Sequence, residues 1–158
     1  MQCGFICLGK LGARMARQVM DAGHALKVFD LDDAAVEQLV AHGATSAVSV
    51  AQAASEVDVL ITCLPSPEAS TKVMTSNNGA LDAMHEGSCW IEMSTTDANE
   101  MIRLAELAVD RGIGVLECPA TGGVHRAARG EMTLLVGGDE ELFNDHASLL
   151  ETLSGQIV

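Results

Sequence analysis

The sequence predicts an α/β fold in which a doubly wound, mostly parallel sheet carries helices on both faces. Three observations support this prediction. Short apolar runs alternate with amphipathic helical segments along the chain, which is the order of βαβ units. Gly9 and Gly12 lie in the turn between the first apolar run and the first helix. Asp30 ends the second run at roughly the 20-residue spacing of a Rossmann-type dinucleotide-binding fingerprint.

The opening elements follow from local patterns. Residues 5–8 form a short apolar run bounded by glycines, which is typical of a buried parallel strand. The next segment repeats an apolar residue every fourth position from Leu11 to Val19, which predicts a helix with one apolar face. Gly23 ends this helix, because glycine readily adopts a left-handed conformation. Residues 25–29 form the second strand.

The later elements continue the alternation. Pro65 ends an apolar run, since proline has no N–H to donate to a strand ladder. Asp97 has the position of a helix N-cap, with Glu100 three residues later. The remaining predicted strands cover residues 57–65, 88–93, 113–116 and 132–136, the remaining helices cover residues 33–42, 49–55, 67–74, 97–110 and 139–150, and residues 137–138 form a turn.

Composition restricts the class of protein and its partners. A chain of 158 residues that is 48% hydrophobic is expected to fold as one domain, here a dinucleotide-binding domain over residues 1–158. The net charge of −13 opposes binding to nucleic acid or to an anionic membrane, and 3% aromatic residues offer few surfaces for stacking bases. No apolar run approaches the roughly 18 residues of a membrane span, and the first strand begins almost at once, so no membrane-spanning or targeting segment is expected.

Cysteine and histidine usage adds two expectations. The five cysteines are odd in number and lie mostly in apolar runs, which indicates reduced, buried thiols in a cytoplasmic protein. The five histidines lack metal-ligand spacing, so no metal site is predicted.

The glycine turn is the main candidate for a binding site. Gly9 lets the backbone approach a pyrophosphate, and Gly12 lets the helix pack close to the sheet. The start of the helix offers unpaired N–H groups to a phosphate. Asp30 is placed to accept hydrogen bonds from ribose hydroxyls. Cys7 stands where the fingerprint has its first glycine, and the alternative interpretation is a glycine-bounded turn without a ligand.

Two further pairs of residues follow strands, at the end where open α/β sheets bind ligands. Leu64 and Pro65 are placed to contact the adenosine half of a cofactor, and a proline that only ends a strand is an equal alternative. Ser94 and Thr95 bring hydroxyl groups to the end of the next strand, where the alternative role is helix capping.

A third stretch indicates an anion site. Gly122 and Gly123 follow the fifth predicted strand and expose backbone N–H groups, which form an anion-binding nest. Thr121 adds a hydroxyl group, so the stretch suits a substrate carboxylate. The alternative is a tight turn with a capping threonine.

Together these stretches resemble the β-hydroxyacid dehydrogenase family, above all the 3-hydroxyisobutyrate dehydrogenases and tartronate semialdehyde reductases. 6-Phosphogluconate dehydrogenase is a more distant relative. Residues 4–12 resemble the family's Gly-Phe-Ile-Gly-Leu-Gly-x-Met-Gly, and residues 117–123 resemble its Asp-Ala-Pro-Val-Ser-Gly-Gly. Three further stretches are similar to family motifs: the Leu-Pro at 64–65, the Ser-Thr at 94–95 and the spacing of glycines over 127–138. The resemblance therefore covers essentially the whole chain.

The resemblance implies an oxidoreductase that transfers a hydride between NAD and a small β-hydroxyacid, and a homo-oligomer in the full-length protein. The cofactor-binding residues that it implies are Cys7, Leu8, Gly9, Lys10, Leu11, Gly12, Asp30, Leu31, Leu64, Pro65, Ala69 and Thr95. The substrate-binding residues that it implies are Ser94, Thr121, Gly122 and Gly123.

The family's catalytic lysine lies on a helix of a second, all-helical domain, and none of Lys10, Lys27 and Lys72 has that context. No catalytic residue is therefore assigned within this chain, which is expected to lack the C-terminal helical catalytic domain and to be nearly inactive alone. The alternatives are a non-catalytic nucleotide-binding or interaction module and an NADP-dependent enzyme similar to 6-phosphogluconate dehydrogenase.

Two expectations concern the cofactor site itself. NAD is expected over NADP, because Asp30 repels a 2′-phosphate and Leu31 stands where family members that use NADP often carry arginine. Cys7 lies near a helix N-terminus, so its thiol is expected to have a lowered pKa and to be oxidisable. Its side chain is also expected to reduce cofactor affinity.

Overall fold

The computed structural model describes all 158 residues, Met1 to Val158, as ten strands and eight helices. The strands are β1 (Gln2–Ile6), β2 (Ala25–Phe29), β3 (Thr45–Ser46), β4 (Val59–Thr62), β5 (Cys89–Glu92), β6 (Gly114–Glu117), β7 (Ala120–Thr121), β8 (Met132–Leu134), β9 (Gly137–Gly138) and β10 (Ser154–Ile157). The helices are α1 (Gly12–Asp21), α2 (Asp33–Val40), α3 (Val50–Ala54), α4 (Pro67–Thr75), α5 (Ala80–Ala83), α6 (Ala98–Val109), α7 (Gly123–Ala127) and α8 (Glu140–Leu153).

Seven strands form one sheet in the order β3-β2-β1-β4-β5-β6-β9. Every neighbouring pair is parallel except β6 and β9. The first six strands have the 3-2-1-4-5-6 order of a Rossmann fold. One face of the sheet carries α1, α2 and α8, and the other carries α3, α4, α5 and α6, each over its own apolar cluster. These observations confirm the predicted doubly wound α/β fold.

The register of the sheet places the ends of five strands side by side. Phe29, Ile6, Thr62, Glu92 and Glu117 are paired in turn and form one row across β2, β1, β4, β5 and β6. The segments that follow these strands therefore leave the sheet at the same edge, which we call the carboxyl edge. In open α/β sheets this is the edge that binds ligands.

The structure differs from the predicted elements at several places. β1 ends at Ile6 rather than at residue 8, because the backbone of Cys7 has a φ of +75°, which no strand accommodates. Residues 137–138 are not a free turn but the edge strand β9. Val40, the last residue of α2, is 40% exposed, whereas Leu39 beside it is 4% exposed.

The C-terminal part of the chain forms a second sheet that local patterns did not predict. β8 was expected in the main sheet but pairs instead with β7 and β10, in the order β10-β8-β7. No strand was predicted at β10, which is mostly polar and pairs in parallel with β8. The short α5 was also missed, because a single turn shows no periodicity. No helix combines the length and the hydrophobicity that crossing a membrane requires.

Candidate functional site

A crevice of about 450 Å³ opens at the carboxyl edge. It brings together six of the residues predicted to bind the cofactor, namely Cys7, Asp30, Leu31, Leu64, Pro65 and Ala69. Ile6, Phe29, Lys72 and Val73 also line it and were not predicted as site residues. Phe29 ends the second predicted strand, which was a signal that would have identified it, whereas Ile6 was predicted inside the first strand. Lys72 and Val73 depend on how α4 packs, which no local pattern gives.

The other predicted residues lie outside the lining of this crevice. They are in three segments of the same edge: the glycine turn after β1 (Leu8, Gly9, Lys10, Leu11 and Gly12), the loop after β5 (Ser94 and Thr95), and the loop after β6 (Thr121, Gly122 and Gly123).

The glycine turn has the properties of a phosphate cradle. A Cβ atom added to Gly9 would meet no atom within 4 Å, so the backbone there is open to a ligand. A Cβ added to Gly12 would lie 2.2 Å from the Cys7 carbonyl oxygen, so glycine is required for α1 to begin this close to β1. The N–H groups of Lys10 and Leu11 have no intramolecular acceptor. Unpaired N–H groups at the start of a helix favour an anion.

Asp30 connects the ends of β1 and β2. Its Oδ2 accepts a hydrogen bond of 2.5 Å from the Leu8 N–H, and its Oδ1 accepts one of 2.8 Å from the Asp32 N–H. A carboxylate oxygen has about two acceptor sites, so each oxygen retains one for another donor. The carboxylate lines the crevice beside the glycine turn, as a group that binds ribose hydroxyls requires.

Cys7 has one of three positive φ values among the residues other than glycine. Its φ of +75° lies in the left-handed region, which disfavours residues with a Cβ atom. Burial raises the pKa of the thiol, and the charge of Asp30 also raises it, while the Gly9 N–H lowers it. The expectation of a lowered thiol pKa was therefore wrong, because desolvation outweighs the effect of the helix start. A thiol with a raised pKa is a poor target for mild oxidants.

The strain at Cys7 leads to a testable expectation. Replacing Cys7 with glycine should raise the free energy of unfolding by about 1 kcal/mol, because glycine adopts this φ without penalty. Urea unfolding followed by circular dichroism measures the change. Cys63 follows β4 at the same edge and is also half-buried, so Cys63→Gly is the matched control and should lower stability. A Cys7→Gly protein that is less stable than the parent would show that the strain is smaller than the stabilisation from packing of the Cys7 side chain.

The loop after β6 contains two glycines with positive φ. Gly122 has a φ of +136° and Gly123 a φ of +75°, so both adopt conformations that other residues rarely adopt. Their N–H groups have no intramolecular acceptor, and both residues are exposed together with Thr121. Thr121 pairs with Thr133 of β8, which anchors the loop to the second sheet. The loop thus offers two N–H groups and one hydroxyl to an anion.

Ser94 and Thr95 have different surroundings. Ser94 is 3% exposed, and its N–H and hydroxyl both donate to Glu92 Oε1, the former over 2.8 Å. Its Oγ in turn accepts the Leu64 N–H over 2.6 Å. Thr95 is exposed. Ser94 therefore supports the loop from beneath, and the hydroxyl that reaches solvent is that of Thr95. Neither caps the next helix, whose N-cap is Asp97, as predicted.

Glu92 was not identified from the sequence, although an acidic residue inside an apolar run is an available signal. It is the only Asp, Glu, Lys or Arg among the buried residues. Burial raises the pKa of its carboxyl group, and hydrogen bonds from Ser94 act in the opposite direction. Elsewhere the structure gathers no group of three or more His, Cys, Asp or Glu side chains able to hold a metal. All five cysteines are free, with Cys3, Cys89 and Cys118 buried.

Comparison with known proteins assigns a family to this architecture. Residues 2–158 match the protein family described as the NAD binding domain of 6-phosphogluconate dehydrogenase. The chain is 36% identical over 156 residues to the NAD-dependent L-serine dehydrogenase of Pseudomonas aeruginosa, covering 99% of this chain and 52% of that protein. It is 34% identical over 155 residues to a probable mitochondrial 3-hydroxyisobutyrate dehydrogenase of Dictyostelium discoideum, covering 98% of this chain and 48% of that protein.

A solved structure of a similar protein has the same fold as this chain. The 3-hydroxyisobutyrate dehydrogenase of Mycobacterium tuberculosis, solved with L-serine, superposes with a TM-score of 0.94 at 32% identity. The match covers 100% of this chain and 54% of that one. The chain thus spans about half the length of the curated relatives it matches.

Proposed function

The chain belongs to the family of the NAD binding domain of 6-phosphogluconate dehydrogenase, and from this membership we propose that residues 1–158 are the cofactor domain of an oxidoreductase that transfers a hydride between NAD and a small β-hydroxyacid. The membership confirms the resemblance inferred from the sequence motifs. The observation that carries the proposal is the hydrogen bond from Leu8 to Asp30, because it holds a carboxylate that lines the crevice beside the open glycine turn.

The residues present fit a dinucleotide. We place the pyrophosphate at the glycine turn, where Gly9 faces open space and the N–H groups of Lys10 and Leu11 lack acceptors. Asp30 would accept the adenine ribose hydroxyls. The crevice residues Leu31, Leu64, Pro65 and Ala69 would surround the adenosine half, with Cys7 beneath and Leu8 and Gly12 shaping the turn. Thr95 would contact the nicotinamide. The bound cofactor supplies the hydride acceptor.

The substrate class follows from the loop after β6. We place the substrate carboxylate against the Gly122 and Gly123 N–H groups and the Thr121 hydroxyl. The Ser94 hydroxyl already forms hydrogen bonds with Glu92 and Leu64. Ser94 would therefore not contact the substrate directly and would act only by positioning the loop that carries Thr95. Relatives whose names specify L-serine and 3-hydroxyisobutyrate support a small hydroxyacid, and the particular acid is not assigned.

The proton-transfer group is proposed to lie outside residues 1–158. Lys27 Nζ donates a hydrogen bond of 2.8 Å to the Ser55 carbonyl oxygen, and Lys72 lines the adenosine side of the crevice. Lys10 belongs to the glycine turn. None of the three lies in the loop that would hold the substrate, so a helical catalytic domain is proposed to complete the site. Homo-oligomerisation and a cytoplasmic location stay predictions, and some relatives are named as mitochondrial.

Calorimetric titration of the protein with NAD and NADP tests the proposal. NAD is expected to bind at least about tenfold more tightly, because the 2′-phosphate of NADP would face the Asp30 carboxylate. Gly9→Ala should lower NAD affinity by about tenfold or more while leaving the melting temperature unchanged, since its Cβ meets nothing in the free protein. Absence of binding by both nucleotides would reject the proposal in favour of a non-catalytic interaction module.

A further inference from the structure

A buried carboxyl group lies directly beneath the proposed cofactor site. Glu92 is the last residue of β5 and is 0% exposed. No lysine, arginine or histidine forms an ion pair with it. Burying an ionised carboxylate without a partner costs several kcal/mol, so the group is not explained by packing alone. Groups of this kind are concentrated at functional sites.

The contacts of Glu92 connect two neighbouring strand ends. Its Oε1 accepts both the N–H and the hydroxyl of Ser94. The Ser94 Oγ accepts the Leu64 N–H, which belongs to the segment after β4. One carboxyl oxygen therefore fixes Leu64 in the crevice and, through Ser94, the loop that exposes Thr95. This series of bonds, Glu92 to Ser94 to Leu64, is called the carboxyl relay below.

The second oxygen faces a third segment of the site. Glu92 Oε2 and Ser70 Oγ are both buried without a hydrogen-bond partner. The hydroxyls of Ser70 and Thr62 nevertheless lie close enough to the carboxyl group to favour its charged form. A proton on Oε2 would give this oxygen a donor for either hydroxyl. Ser70 follows Ala69 on α4, which lines the crevice, so all three segments around the adenosine half meet at Glu92.

We propose that Glu92 is a positioning residue for the dinucleotide: the carboxyl relay holds Leu64 and the Ser94–Thr95 loop in the arrangement that the cofactor contacts. This inference rests on the proposed function, because it assumes that the crevice binds NAD. Glu92 itself does not touch the cofactor. Its effect on Leu64 and on the Ser94–Thr95 loop passes through Ser94, so removal of either residue has the same consequence for these two segments.

Four variants and the parent protein test this relation by calorimetric titration with NAD. Glu92→Ala and Ser94→Ala should each weaken NAD binding by about tenfold, the usual value of one buried hydrogen bond to a charged or strongly polar partner. The double variant should bind no more weakly than either single variant, since both changes break the same relay. Glu92→Gln should bind within about threefold of the parent, because an amide oxygen also accepts both Ser94 donors.

Glu117→Ala is the matched control. Glu117 stands beside Glu92 in the same row of the sheet but has no part in the carboxyl relay. Its truncation should leave NAD affinity within about twofold. Amide hydrogen exchange gives a readout that does not depend on the ligand: Leu64 should exchange slowly in the parent and in Glu92→Gln, and faster in Glu92→Ala and Ser94→Ala.

The outcomes separate the two proposals. If the parent protein does not bind NAD, the proposed function fails and the inference fails with it. If the parent binds and Glu92→Ala or Ser94→Ala binds equally well, or if their losses add in the double variant, only the role of Glu92 is overturned. If Glu92→Ala does not fold, Ser94→Ala and Glu92→Gln decide the question by the same criteria.

Discussion

Gly12→Ala is expected to lower the free energy of unfolding by about 3 kcal/mol and to abolish NAD binding. The new Cβ would lie 2.2 Å from the Cys7 carbonyl oxygen and 3.2 Å from the carbonyl carbon. Both atoms belong to the backbone, so α1 must move away from β1, and overpacking of this kind costs about 1–3 kcal/mol or more. The better helix propensity of alanine, about 1 kcal/mol, does not offset this.

Urea unfolding followed by the fluorescence of Trp90 measures the loss. Trp90 is the only tryptophan of the chain and is fully buried in the sheet, so its emission reports on the whole core. Gly9→Ala is the matched control, because it adds the same methyl group to the same turn where no atom lies within 4 Å. Equal stability of the two variants would mean that α1 does not need to approach β1 so closely.

Asp30→Ser combined with Leu31→Arg is expected to change the ratio of NAD to NADP affinity by about a hundredfold, so that NADP is preferred. Removing the carboxylate removes its repulsion of a 2′-phosphate. Leu31 is 94% exposed at the mouth of the crevice, so an arginine has room there to bind the phosphate through two N–H groups. Serine keeps a short oxygen acceptor near the Leu8 N–H, which Asp30 holds in the parent.

Titration with both nucleotides gives the ratio directly. Val48→Arg serves as the matched control, because it changes the net charge by the same amount as Leu31→Arg. Val48 is also 84% exposed and lies outside the crevice lining. The control should change the ratio of the two affinities by less than about twofold, since salt screens a charge at this distant, exposed position. A double variant that still prefers NAD, or a control that gains as much NADP affinity, would show that Asp30 and Leu31 do not select the cofactor.

Much of the fold could be predicted because its signals are local. The cap at Asp97, the bounds of β2 and the tight start at Gly12 each depend on a few neighbouring residues. Parallel strands that are buried on both faces also give continuous apolar runs, which are visible in the sequence. β10 has no such signal, because its four residues are mostly polar and its partner β8 lies about twenty positions earlier.

The candidate site likewise contains residues that local patterns predict and residues whose roles depend on tertiary packing. Asp30 and the glycine turn were predicted because their spacing is a property of one βαβ unit. Glu92 was not identified and the burial of Ser94 was not predicted, since burial depends on how distant segments of the chain pack. The thiol of Cys7 was misjudged for a related reason. Its pKa depends on burial, and the sequence records only its distance from a helix start.

The common direction of β2, β1, β4, β5 and β6 also determines where a tag or a fluorophore can be attached without disturbing the crevice. The segments that precede these strands, such as residues 85–87 and 110–112, emerge on the side of the sheet opposite the crevice. The four residues of β5 alone separate the two sides by about 13 Å. An immobilisation tag at Met1 or a fluorophore in residues 85–87 would therefore leave nucleotide binding undisturbed, which makes this side the natural place to build a biosensor.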